Sequence, residues 1–221
     1  MKQERIQHTT QTRSTPTRRR HWLQGAAIVA VLCLPAWAQS PVAGQTKAPR
    51  MGRNLPPGQA LREMQIFKVK AIGLEVWVEN MPPWKVQTVQ NNGRAVLAVS
   101  SPENYHPPAA MTFASWPEHR VRQEQVQSVA LSTLRQAAQN FGLTAGQARA
   151  LEPRPAQHGV LTGYEIEFVG KVQGTAMDVR LYFGLQPDRP PVVMTAYTLK
   201  DKMGHLKDVL RRSWGNVSYL D

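Results

Sequence analysis

Apolar and polar positions alternate with period two along Gly163–Gly184, GYEIEFVGKVQGTAMDVRLYFG. Tyr164, Ile166 and Phe168 alternate with Glu165 and Glu167. Met177, Val179, Leu181 and Phe183 alternate with Asp178 and Arg180. Such strict alternation predicts two half-buried antiparallel strands. A turn centred on Gln173-Gly174 sets Tyr164 against Phe183, Ile166 against Leu181 and Phe168 against Val179. The same register puts Glu167 opposite Arg180 on the wet face as an opposite-charge pair. Slipping by one residue would turn the apolar set outward, so the pattern resists other registers. Gln-Gly is not the favoured Asn-Gly turn, which leaves a longer loop open.

Elsewhere the same logic gives shorter strands. Leu74, Val76 and Val78 alternate with Glu75, Trp77 and Glu79, and Asn80-Met81-Pro82-Pro83 ends that strand because proline lacks a donor. Leu61–Phe67 reads as either a short helix or a first strand. Trp84–Ser100 forms a second hairpin about Asn92-Gly93, which pairs Val86 with Val99 and Val89 with Val96. Ser101–Pro108 is a loop, Ala110–Ser115 a strand, and Val192–Leu199 another, entered through Pro190-Pro191.

Two segments carry the helical period instead. In Glu118–Phe141, the residues Val126, Val129, Ala130, Leu134, Ala137 and Phe141 form one stripe, with Glu118 in the first turn and Gly142 as the stop. From Asp201 to about Ser213, Met203, Leu206, Val209, Leu210 and Trp214 form another, with Arg211 and Arg212 in the last turn. Thr144–Pro155 reads as a short helix or an irregular segment. The order of hairpins, strands and helices predicts an α+β fold, an antiparallel sheet with helices on its faces. Ile166, Phe168, Val179 and Leu181 are expected to share a buried face with Val129 and Leu134. Glu165, on the other face, is expected to be solvated.

The N-terminus changes the picture of where the protein acts. Arg18-Arg19-Arg20, an apolar run from Ala26 to Leu34 and Ala36-x-Ala38 have the anatomy of a secretory signal peptide, with cleavage between Ala38 and Gln39. The run is too short for a membrane span. Arg19-Arg20-His21-Trp22-Leu23 resembles a twin-arginine export motif. Residues 1–38 are therefore read as a leader, residues 39–60, rich in proline and glycine, as a flexible linker, and residues 61–221 as one domain. The expected location is the periplasm. Cys33 is the single cysteine of the chain and lies in the leader, so the mature protein has no thiolate and no disulfide.

The 221-residue chain has a formal net charge of +12. Lys2, Arg5, Arg13, Arg18, Arg19 and Arg20 supply part of it, and the mature chain stays basic. Lys200, Lys202, Lys207, Arg211 and Arg212 make the last helix basic, suited to an acidic partner or an anionic surface, peripheral membrane contact included. An exported protein rarely meets nucleic acid. Trp77 is out of phase with Leu74, Val76 and Val78, so either that strand is covered on both faces or Trp77 anchors a partner.

Catalytic signals are sparse. No two-histidine zinc helix, calcium loop, phosphate loop, dinucleotide fingerprint or nucleophile elbow occurs. Asp201, His205 and Asp208 fall on one helical face and read as solvated. Glu165 and Glu167 sit two apart on one strand face, and Arg180 opposite them favours a surface ion pair. Tyr105-His106-Pro107-Pro108 is either a contact loop or a passive connector. No cofactor and no metal is expected.

Pro82-Pro83-Trp84-Lys85-Val86 opening a hairpin, the helix within Glu118–Phe141, Gly163-Tyr164-Glu165 and a terminal helix ending in Arg212-Ser213-Trp214 together resemble the PsbP-like superfamily over Leu74–Leu220. That family includes extrinsic photosystem subunits and bacterial DcrB-type envelope proteins. The resemblance implies an α/β/α sandwich whose members bind or organise other proteins, and it carries over no catalytic residue. The leading expectation is a non-enzymatic protein that supports another envelope protein, with Lys207, Arg211, Arg212 and Trp77 as contact residues. The alternatives are a small-ligand or lipid carrier, and a hydrolase whose site gathers His106, His158 and Glu165.

Overall fold

In the computed structural model, residues 63–221 are described. The leader, its cleavage point, Cys33, the linker and residues 61–62 lie outside them. The strands are β1 (Met64–Val69), β2 (Leu74–Glu79), β3 (Lys85–Asn91), β4 (Arg94–Ser100), β5 (Ala109–Ser115), β6 (Arg154–His158), β7 (Leu161–Val172), β8 (Thr175–Leu185), β9 (Val192–Leu199) and β10 (Ser218–Tyr219). The helices are α1 (Val126–Gln139), α2 (Ala145–Ala150) and α3 (Lys207–Trp214). No helix among the described residues is long and apolar enough to cross a membrane.

A seven-stranded antiparallel sheet runs in the order β3-β4-β5-β9-β8-β7-β6, and a three-stranded sheet in the order β1-β2-β10. This is the expected α+β class, with no closed barrel. The β7–β8 hairpin has the register anticipated from its alternation, with Ile166 on Leu181, Phe168 on Val179 and Glu167 on Arg180. Its turn is the tight one, since Val172 pairs with Thr175. The β3–β4 hairpin likewise pairs Val86 with Val99 and Val89 with Val96.

Both faces of the large sheet are covered, and period two explains how. One face meets α1: Ile166, Val179, Leu181 and Phe183 share a core with Ala130, Leu134, Ala137 and Phe141. Val129 and Phe168 pack at its margin only half-buried. The other face meets the small sheet and α3. Leu97, Phe113, Met111, Tyr182 and Met194 pack there on Leu74, Val76, Val78, Leu206, Leu210 and Trp214.

Several expectations need correction. The ambiguous first segment is a strand, β1. The helix read from Glu118 starts only at Val126, after a 3-10 turn at Gln123–Gln125. The apolar stripe itself begins at Val126, and between Glu118 and Val126 only Val121 packs on this core. Glu118 instead meets its neighbour His119. Asp201 precedes the last helix with φ 62°, and a 3-10 turn at Met203–Leu206 leads into α3. That entry is capped from afar, because Asp178 Oδ2 accepts the Lys202 and Met203 amides at 2.8 and 3.0 Å. Strand β6 was not anticipated, for Arg154-Pro155-Ala156-Gln157-His158 has no apolar alternation. It is an edge strand, where a proline without a donor is tolerated.

Candidate functional site

The small sheet turns Leu74, Val76 and Val78 inward, which leaves Trp77 on its outer face. Trp77 sits directly opposite Ile66 of β1, and Ile66 is 44% exposed. Just beyond β2, Met81 is 64% exposed. Trp77 is half-buried, and its Nε1 donates to Glu75 Oε1 at 3.3 Å. Lys68, across the strand pair, approaches Glu75 Oε2 at 3.8 Å. The phase anomaly of Trp77 is thereby explained: the strand has one face on the core and one partly open. An apolar centre with a polar rim is the composition of a protein contact. The strand below is held firmly, since Ser213 Oγ donates to the Trp77 carbonyl at 2.6 Å.

The three cations of α3 do not form one patch. Arg212 turns to β2 and donates from Nε and Nη2 to Glu79 Oε1 at 2.8 and 2.6 Å. Glu79 is only 5% exposed. Burial pushes its carboxyl above the usual range, against the opposing pull of Arg212. Beside it, burial and then the Glu79 charge push the Tyr105 hydroxyl up to about 12. Tyr105 is no contact residue: it is buried edge-on against Trp84, with ring centroids 5.2 Å apart. Lys207 and Arg211, four residues apart, share the helix flank away from Arg212 and are exposed. Arg211 reaches Asp208 Oδ1 at 3.3 Å on that open surface.

A second carboxylate cluster forms where β6, β7, β8 and α3 meet. Gly163 of β7 pairs with Gly184 of β8, and a Cβ on Gly184 would run into the Tyr182 ring. The missing side chains make a slot, and Tyr182 lies across it to donate its hydroxyl to the Leu161 carbonyl at 2.9 Å. His158 then stands edge-on between Tyr182 and Trp214, at centroid distances of 4.6 and 5.2 Å. Its Nε2 lies 3.2 Å from Glu165 Oε2, while Arg154 Nε donates to Glu165 Oε1 at 2.9 Å. The His158 hydrogen bond, outweighing burial, holds the Glu165 carboxyl below the usual range.

Glu165 is thus buried, contrary to the expected wet face, because the unforeseen β6 covers it. Its neighbour Glu167 stays exposed and bonds Arg180 Nε at 2.9 Å, as the register required. Of the residues weighed for a hydrolytic site, His158 and Glu165 come together. His106 lies on the loop after β4, outside this cluster. Asp201, His205 and Asp208 are all exposed, and no group of three metal-binding side chains exists among the described residues. The signal for the cluster was the Gly159-Val160 dipeptide, a two-residue hairpin loop with Gly159 at φ 55°.

No protein-family model and no curated protein matches the sequence. Among solved structures, the fold resembles a protein from Bacteroides thetaiotaomicron, with a TM-score of 0.50 and 7% identity over 72% of this chain and 49% of that one. This chain therefore spans about half the length of that protein. LpqN, involved in cell envelope biogenesis of Mycobacterium tuberculosis, gives a TM-score of 0.44 and 13% identity over 77% of this chain and 100% of that one. The first likeness concerns the fold alone.

Proposed function

We propose that this is an exported, periplasmic, non-enzymatic module of the PsbP-like kind that binds another protein of the cell envelope. The observation that carries the reading is the Ile66–Trp77 pair on the outer face of the small sheet, an exposed aliphatic and a half-buried aromatic side chain on adjacent strands, of which α3 bonds the second. Lys207 and Arg211, both exposed although Arg211 also bonds Asp208, steer an acidic partner or an anionic surface, a contribution that salt would weaken. Arg212 serves the fold. In the test, the mature protein recovers its partner from its own envelope fraction. Trp77→Ala combined with Ile66→Asp loses that partner with only a small fall in melting temperature, the cost of one cross-strand pair, and Lys207→Glu with Arg211→Glu slows its association. Undiminished recovery by the first variant overturns the surface.

The contact between His158 and Glu165 favours a second reading, in which the carboxylate orients an imidazole for hydrolysis. Turnover of an ester or peptide substrate that disappears in His158→Ala would establish it in place of the first.

A further inference from the structure

We propose that Asn92 is a self-modification site, at which the backbone amide of Gly93 converts the side chain to a succinimide and then to aspartate or isoaspartate. The two residues form the exposed tip of the β3–β4 hairpin, beyond the last ladder pair, Asn91 with Arg94. Their φ values, 49° and 75°, are those of a tight two-residue turn. In such a turn the ladder bonds belong to the flanking residues. The Gly93 amide donates to no other backbone group among the described residues, and a Cβ at Gly93 would meet nothing. The nucleophilic nitrogen is therefore without a backbone acceptor among the described residues, and no side chain crowds the Gly93 Cα.

The chemistry balances with water alone. Gly93 N attacks Asn92 Cγ, a C–N bond forms, and the Cγ–Nδ2 bond breaks. Ammonia leaves with the amide proton. Water then opens the five-membered imide. Cleavage at the side-chain carbonyl gives aspartate with the original backbone. Cleavage at the main-chain carbonyl gives isoaspartate, whose chain runs through the former side chain. The other asparagines are poor competitors. Asn54, Asn80, Asn91, Asn104, Asn140 and Asn216 are followed by Leu55, Met81, Asn92, Tyr105, Phe141 and Val217, each of which has a side chain beside the attacking nitrogen.

The consequence falls on an edge. β3 has a partner on one side only. An isoaspartate lengthens the turn by one backbone atom, and the two-residue geometry that fixes the β3–β4 register is lost. A new negative charge also appears beside Arg94, whose guanidinium sits 5.5 Å over the Trp116 ring.

The test incubates the folded full chain at mildly alkaline pH and follows its peptides by mass, with enzymatic methylation to score isoaspartate. The peptide bearing Asn92 is expected to gain the mass difference of hydroxyl over amine at least tenfold faster than any other asparagine peptide. The isoaspartate form should exchange its β3 amides faster, with β7 and β8 unchanged. Asn92→Gly, which accepts the positive φ, combined with Asn91→Gln so that no new Asn-Gly pair arises, abolishes the reaction and keeps the hairpin. Conversion at Asn92 no faster than at the other asparagines overturns the proposal. So does an Asn92 that stays intact in the folded chain while it converts in the denatured one.

Discussion

Glu79 and Glu165 are both buried carboxylates, each with an arginine within hydrogen-bond distance, yet the surroundings move them in opposite directions. Glu79 is raised and Glu165 is lowered. Burial is the leading influence at Glu79 and outweighs the arginine there. Arg212 aims both of its donors at a single oxygen of Glu79, while Glu63 and Asp208 add negative field from nearby. At Glu165 the donors divide, Arg154 on one oxygen and His158 on the other, and Arg180 adds positive field. His158 and the two arginines outweigh burial at Glu165, while burial prevails over the one arginine at Glu79. The two sites therefore stand for two kinds of buried ion: one held for the geometry of α3 against β2, the other comfortably charged.

The largest expected effect is at Arg212. Arg212→Ala leaves Glu79 buried without its cation, and such a break costs about 3–5 kcal/mol. Denaturant unfolding should show it, and the loss should shrink at acid pH, where Glu79 takes a proton. Glu79→Gln with Arg212→Met should recover most of the stability. A small loss for Arg212→Ala would show that Glu79 is solvated.

Next comes His158→Ala, which empties the space between Tyr182 and Trp214 and removes one of the bonds to Glu165. About 2–4 kcal/mol should be lost, by comparison with large-to-small changes in cores. Glu165→Ala, which a solvated strand face would tolerate, should cost about 1–3 kcal/mol because Arg154 and His158 lose their acceptor. Equal and negligible losses at both positions would break the picture of a closed cluster.

The pH dependence separates the two acids by sign. Glu165 has a depressed folded value, so its contribution is present above the unfolded carboxylate range and is lost as pH falls through the folded value. Glu79 has a raised folded value. Its burden is present at neutral pH and lifts as pH falls through that value. In stability measured against pH, Glu165→Gln should flatten the acid-side fall and Glu79→Gln should steepen it. The smallest effect is at Arg154, whose side chain is 62% exposed. Arg154→Ala should cost about 0–1 kcal/mol in chemical unfolding, and more would mean the pair is drier than its exposure implies.

Local alternation made the long hairpin, the Asn-Gly hairpin and the central face legible before any fold was known. Ile166 and Leu181 announced their partners because one wrong step in register turns every apolar side chain to the opposite face. The burial of Glu165 was not legible. It depends on β6, a polar strand with a proline that holds its place by pairing with β7 and by the wedge of His158. Nothing in its own composition requires a strand. Arg212 was misplaced for a related reason: its partner Glu79 lies 133 residues away in the chain, and no helical period reports such a contact. Phe168 was read as core from its phase, but the phase gives the face and not the distance from its margin. Phe168→Ala should therefore cost less than a fully buried site would. Trp77 was the one out-of-phase residue, and there the failure of the pattern marked the open surface itself.

Pro155 has a consequence for what the molecule can assemble into. A ribbon built edge to edge needs two free margins on every subunit, one to receive a strand and one to offer. The large sheet ends on one side at β3, whose seven residues contain no proline, and on the other at β6, whose five residues carry Pro155. A strand arriving at β6 finds a donor missing near its middle. Any association through β3 is then self-limiting. Two copies can join their large sheets there, and the joined sheet presents only its proline-bearing β6 margins to a third.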